Sequence, residues 1–194
     1  MGDLTLDDAA AVTTTLQGVV DRALDSLIGV NIDDHQVVAY DVAHAAAAVA
    51  SATNLLAYGA RGETEAQLTV AFIADVAHDV NTRLLGREAA WGCELGALDS
   101  VREFMSVGRE PALLASLVNG APNHLDEDFE LVAETFRRFA DDQIVPIAEH
   151  IHRTNSDIPE DLIDGLAELG VFGLSAPVEY GGFAEGGASD YLGM

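Results

Sequence analysis

Two segments of this chain repeat a pattern that could bind a metal: Asp41-Val42-Ala43-His44 and Asp75-Val76-Ala77-His78. A carboxylate and an imidazole at i and i+3 share one face of a helix. Carboxylate-bridged di-metal bundles use a Glu-x-x-His on each of two helices, with a Glu from each of two more. Against a metal stand the shorter reach of Asp, the apolar Val42 and Ala45 that commit the inward face, and the lack of further carboxylate-bearing helices. The alternative is an Asp–His pair on a surface. His150 and His152 are two residues apart, so on a helix they point to different faces and cannot chelate together. With Arg153 they suit a helix C-terminus, where positive charge is favoured. Arg137-Arg138 could meet an anionic group such as a phosphate, or balance Glu134, Asp141 and Asp142. Cys93 has no nearby His and reads as a buried thiol. Gly181-Gly182 and Gly186-Gly187 follow no strand and form no phosphate loop. No residue is assigned a catalytic, cofactor-binding or metal-ligating role.

The elements that would carry these residues are helices. Val12, Leu16, Val19, Ala23 and Leu27 form an apolar stripe at helical spacing, closed by Gly29. Val38, Val42, Ala45, Val49, Ala52 and Leu56 form a second, ending at Tyr58-Gly59. A third runs through Leu68, Phe72, Val76, Val80 and Leu84. The short connection from Gly59 to Gly62 makes the second and third helices an antiparallel hairpin, which would set His44 level with His78. Leu95, Leu98, Val101 and Met105 predict a shorter helix, and Pro111 opens another at its first turn. Asn119-Gly120-Ala121-Pro122-Asn123 is the strongest breaker cluster, so two units are expected, 1–120 and 124–194. In the second, Phe129, Val132, Phe136 and Phe139 line a helix that Pro146 must kink or interrupt. Thr154 to Asp157 reads as a loop. Pro159 starts a helix with Leu162, Ile163, Leu166 and Leu169 inward, stopped by Gly170. The Gly-rich segment from Tyr180 onward is expected to fray, and Tyr191-Leu192-Gly193-Met194 offers no closing helix. The fold class is all-α.

Composition narrows the function classes. The formal charge is −24, from nine Arg, no Lys and 33 acidic residues. Such a surface repels nucleic acid and anionic lipid, so neither is an expected partner. One cysteine permits no internal disulfide and fits a reducing compartment. The first residues lack the basic and apolar regions of a signal peptide. Apolar runs are broken well short of the ~20 residues a membrane span needs. A soluble, cytoplasmic protein is the expectation.

A sequence of landmarks in the last third is more specific than any single residue. Phe136-Arg137-Arg138-Phe139-Ala140, Ile144-Val145-Pro146, Ile158-Pro159-Glu160 and Leu166-Ala167-Glu168-Leu169-Gly170 lead into Phe172-Gly173-Leu174, Pro177 and Glu179-Tyr180-Gly181-Gly182. In this order they resemble the N-terminal helical domain of the acyl-CoA dehydrogenases, over residues 125 to about 183. Each landmark taken alone has an architectural role: Pro146 bends a helix, Gly170 ends one, and Gly181-Gly182 turns the chain. Residues 38–92 also resemble the paired helices of that family's C-terminal domain, on Tyr40 through Gly59, Arg83-Leu84-Leu85-Gly86 and Trp91-Gly92.

The resemblance implies a FAD-dependent oxidoreductase of lipid metabolism acting on an acyl-CoA thioester, with an electron-transfer flavoprotein as acceptor. It also implies that the flavin site and the carboxylate base lie mostly outside this sequence, leaving the chain alone inactive. A homo-oligomer is expected, with the alanines of the second helix (Ala45, Ala46, Ala48, Ala52) allowing close helix contact. The alternatives are a non-catalytic helical subunit that docks on a related flavoenzyme, and a metal-binding bundle centred on His44 and His78.

Overall fold

The computed structural model describes residues 4–121 and 124–187. The Tyr191–Met194 segment, and Pro122 and Asn123 of the breaker cluster, lie outside the described residues. Among those described the structure is helical, with no strand beyond one isolated bridge between Pro177 and Ala184. The chain divides into two compact units, Met1–Pro122 and Asn123–Met194.

The first unit is built on three long helices. Helix α1 spans Leu6–Ser26 and opens with a reciprocal cap: the Asp8 backbone N–H donates to Thr5 Oγ1, while Thr5 N–H donates to the Asp8 carboxylate at 2.8 Å. The Thr5 hydroxyl also donates to the Asp8 carboxylate at 2.6 Å, and this bond, together with that from the Thr5 N–H, holds the Asp8 carboxyl below the usual range. Helix α2 spans Gln36–Gly59 and α3 spans Glu63–Leu84, joined by a turn of three residues. At that turn the helices come very close. A Cβ on Gly59 would stand 2.7 Å from both Leu6 and Thr69, and Thr69, itself fully buried, donates its hydroxyl to the Leu55 carbonyl of α2. Glycine is required there by space, not by dihedral angle.

The core gathers Leu16, Val19 and Val20 from α1, Val42, Ala45 and Val49 from α2, and Ile73, Ala77 and Val80 from α3. Helices α4 (Arg102–Gly108) and α5 (Pro111–Ser116) follow a series of short turns. Trp91 sits in one of these turns, fully buried, its indole Nε1 without a hydrogen-bond partner.

Two details of the expected pattern are corrected here. Phe72 is 40% exposed, and Val70, Ile73, Ala74 and Ala77 face inward with Val76 and Val80. Helix α3 packs on α1, α2 and α4, so its buried face is too wide for one stripe to define. Leu95 is 84% exposed and precedes the helix it was expected to join, because the chain turns through Asp99–Val101 before α4 begins.

The second unit holds α6 (Glu127–Phe139), α7 (Val145–Thr154) and α8 (Glu160–Glu168). Asp126 caps α6, its carboxylate accepting the Phe129 N–H at 3.1 Å. Pro146 does not end the helix outright. A π-helical turn over Ala140–Ile144 precedes it and links α6 to α7, with Val145 N–H reaching the Ala140 carbonyl. The wider turn accommodates a proline whose ring would clash with a regular α-helical turn before it. Helix α7 ends at Asn155 in the left-handed conformation, and α8 stops at Gly170 with φ of 78°.

Residues 180–187 do not fray. Phe183 N–H donates to the Gly173 carbonyl and Ala184 N–H to that of Ala176. The Phe183 ring lies against Gly170 and Gly173, where added Cβ atoms would stand 2.9 Å and 3.0 Å from it. Those two glycines make the seat for the ring.

The units differ in how much they bury. All three helices of the second unit are strongly amphipathic, yet none of its described residues is fully shielded from solvent. The amides of α6–α8 are therefore expected to exchange with deuterium well before those of α1–α3. Ile73→Ala should cost about 2–5 kcal/mol in urea unfolding of the first unit. The Asp8 carboxylate, with its depressed value, supports the start of α1 above the ordinary carboxylate range. That support is lost as pH falls through the folded value, so exchange at residues 6–9 should rise in acid.

Candidate functional site

The repeated Asp and His residues of the first unit do not converge. Asp41, near the start of α2, accepts from Arg83 Nη1 at 2.9 Å and from Arg87 Nη1, and its side chain is only 13% exposed. Arg83 also donates through Nε to Asp79 at 2.8 Å. Hydrogen bonding to Asp79, and then to Asp41, holds the Arg83 guanidinium above its already high ordinary value. Asp75 pairs with Arg109 at 2.7 Å, tying α3 to the end of α4. His44 is exposed and packs its ring on Tyr40, the centroids 4.4 Å apart, and His78 is exposed. The two carboxylates are thus engaged by arginines, so neither an Asp–His pair nor a shared metal site forms. Among the described residues, no three His, Cys, Asp or Glu side chains cluster as metal ligands.

The remaining candidates also separate. Cys93 is buried and its thiol donates to the Trp91 carbonyl at 3.4 Å. His150 and His152 are exposed on α7, and Arg153 pairs with Glu149 at 2.7 Å. Arg137 and Arg138 are exposed and line a shallow depression shared with Glu130, Glu134, Asp141 and Asp142. Four carboxylates around two guanidiniums make a poor seat for a diphosphate. The described residues therefore do not fit FAD, and no chemical step is derived through it. Ala45 and Ala52 are fully buried in the core of the first unit, so that face of α2 serves internal packing and is closed to a partner.

Sequence reasoning missed the arginine clamp on Asp41 and the seating of Phe183. Arg83 and Arg87, at i and i+4 near the end of a helix whose partner begins at Gln36, were the available signal for the first. Glycines at 170, 173 and 182 around one phenylalanine were the signal for the second.

What the second unit presents is an amphipathic helical surface: Phe129, Val132, Phe136 and Phe139 on α6, Ile147 and Ile151 on α7, and Leu162 and Leu166 on α8, all half-buried. The family model of the acyl-CoA dehydrogenase N-terminal domain matches residues 126–193. The second unit is an acyl-CoA dehydrogenase N-terminal domain. The chain is 40% identical over 109 residues to (2S)-methylsuccinyl-CoA dehydrogenase of Cereibacter sphaeroides, covering 50% of this chain and 20% of that enzyme. It is 38% identical over 56 residues to 3-(aryl)acrylate reductase of Clostridium sporogenes, covering 29% of this chain and 15% of the reductase. The chain thus spans about a fifth or less of the length of these relatives. No solved structure matches it. Half of the chain is more than the second unit contains, so at least part of the similarity to methylsuccinyl-CoA dehydrogenase lies in the first unit.

The clamp reading gives a prediction. Asp41→Ala should destabilise the first unit by about 1–2 kcal/mol, since two guanidiniums lose their shared partner. His44→Ala and His78→Ala should each stay within about 0.5 kcal/mol. Thermal unfolding of the three variants, with elemental analysis for Fe, Mn and Zn, checks both the clamp and the absence of a metal role.

Proposed function

We propose that this chain is the front part of a FAD-dependent acyl-CoA dehydrogenase. The observation that carries the reading is the match of residues 126–193 to the family's N-terminal domain, with a similarity to one such dehydrogenase that extends into the first unit. The reaction is α,β-dehydrogenation of an acyl-CoA thioester. A carboxylate base and a flavin held outside this chain would supply that chemistry, with an electron-transfer flavoprotein as the acceptor that the family resemblance implies.

In this reading α6–α8 supply a wall, not a reacting group. Their half-buried apolar stripe suits contact with the flavin-bearing domains and with an acyl chain, because apolar lining excludes water from a hydride transfer. No helix among those described is long and apolar enough to cross a membrane, in keeping with a soluble, cytoplasmic enzyme. The substrate to try first is methylsuccinyl-CoA, the one named for the relative with the longer similarity.

A second reading, a helical module without its own activity that docks on a related flavoenzyme, is favoured by one observation. The first unit has a complete core of its own.

The test is complementation. The chain is co-expressed with the portion of the Cereibacter sphaeroides enzyme outside the similarity. A yellow complex whose flavin is bleached by methylsuccinyl-CoA is the expected result, and the chain alone should be colourless and inactive. A complex that forms but holds no flavin would favour the docking module. Failure of the two parts to associate would remove the support for the dehydrogenase reading.

A further inference from the structure

One end of the α2–α3 hairpin gathers exposed apolar side chains around two arginines. Where α2 begins and α3 ends, Val37, Tyr40, Leu85, Asp41, Arg83 and Arg87 line an open depression of about 600 Å³. Val37 and Tyr40 are each 65% exposed, and Leu85 is 73% exposed. Apolar side chains that are exposed together, and not singly, mark a surface that meets something. The charge balance is a second observation. The chain carries 33 acidic residues against nine arginines, yet in this depression guanidiniums outnumber carboxylates two to one. Elsewhere the balance is reversed. The depression along α6 sets four carboxylates around two guanidiniums, and the groove between α1 and α4 is lined by Asp8 and Glu103 with no cation.

We propose that this depression binds a small organic monocarboxylate, held by the arginines with its apolar body on Val37, Tyr40 and Leu85. Asp41 leaves donors to spare on both guanidiniums. Each guanidinium offers five N–H groups. Among the described residues Arg87 gives only Nη1, to Asp41, while Arg83 gives Nη1 to Asp41 and Nε to Asp79. The Nε–Nη2 edge of Arg87, whose side chain is about half exposed, keeps the parallel pair of donors that matches a carboxylate. Asp41 also sets which anion fits. Two guanidiniums and one carboxylate leave a single positive charge in the depression, which a monoanion neutralises. A dianion such as a phosphate monoester meets the Asp41 charge at short range. Just outside, Asp79 pairs with Arg83 and Glu88 accepts the Gly86 N–H at 3.2 Å, so an extended polyanion is repelled. The Tyr40 ring already rests against His44, the centroids 4.4 Å apart, which lowers the cost of ordering it on a ligand. Every residue of this site lies in the first unit, so its occupancy is independent of the dehydrogenase reading.

Titration of octanoate into the full chain, followed by NMR amide shifts at about 0.15 M salt, tests the site. The expected result is saturable shifts at residues 36–41 and 82–87, with a Kd of about 0.1–1 mM. Acetate lacks the apolar body and octanol lacks the charge, so each should bind at least about tenfold more weakly. Val37→Glu puts a like charge on the rim. That position is exposed in the first turn of α2, where the helix dipole favours an acid. Circular dichroism should therefore be unchanged while octanoate binding falls at least about tenfold. Leu95→Glu places the same charge at an exposed position outside the depression, and should leave binding within about twofold. Arg87→Ala should weaken binding about tenfold or more. If Arg87→Ala loses its helical signal, the contrast between Val37→Glu and Leu95→Glu decides alone. No saturation up to about 10 mM octanoate, equal affinity for octanol, or binding that survives Val37→Glu each overturns the site. Tighter binding of octyl phosphate than of octanoate overturns the assignment of a monocarboxylate.

Discussion

The contact on which the first unit depends is the near-touching of α2 and α3 at Gly59. With no side chain at that position, Thr69 reaches the Leu55 carbonyl and Leu6 closes over the turn. The hairpin is fastened again at its open end, where Asp41 of α2 holds Arg83 and Arg87 from the far end of α3 and beyond. Between these two fastenings the helices have little freedom to slide, so the inward residues Val42, Ala45 and Val49 meet Ile73, Ala77 and Val80 in one register. Helix α1 then lies on both, adding Leu16, Val19 and Val20 to the same core. A substitution at Gly59 would push the turn apart and carry that displacement into every layer above it.

The second unit follows a different logic. Its helices are sharply divided into polar and apolar sides, but three short helices cannot enclose a core among themselves. Local chemistry sets their limits instead: the Asp126 cap, the π-helical turn ahead of Pro146, the left-handed Asn155 and Gly170, and the Phe183 ring on its glycines. These devices fix backbone direction without burying much surface. Such a surface suits a part that acquires its stability on contact with something larger.

This contrast explains what could be read from sequence. Helix existence and class were legible because Ala-rich, 3.6-periodic segments broken by Gly and Pro have few other solutions. The family of the last third was legible because its stop and turn residues occur in a fixed order. The facing of α3 was not, since a helix contacted by three neighbours buries most of its circumference and Phe72 was left at the edge. The site residues were misread for an electrostatic reason. Asp41 and His44 share a helix face, but a guanidinium from another helix competes with a local imidazole, and spacing along one helix says nothing about what arrives from a second. The hydrogen-bonded turn over residues 180–184 was hidden because glycine content suggests mobility, whereas here the glycines make room for an aromatic ring.

The chain contains a single tryptophan, and Trp91 lies wholly within the first unit, enclosed and with its indole N–H unpaired. Its emission therefore reports on the core of the first unit. Opening of the three-helix core would shift it to the red as water reaches the ring. The state of that core can be followed in a cuvette with no label added.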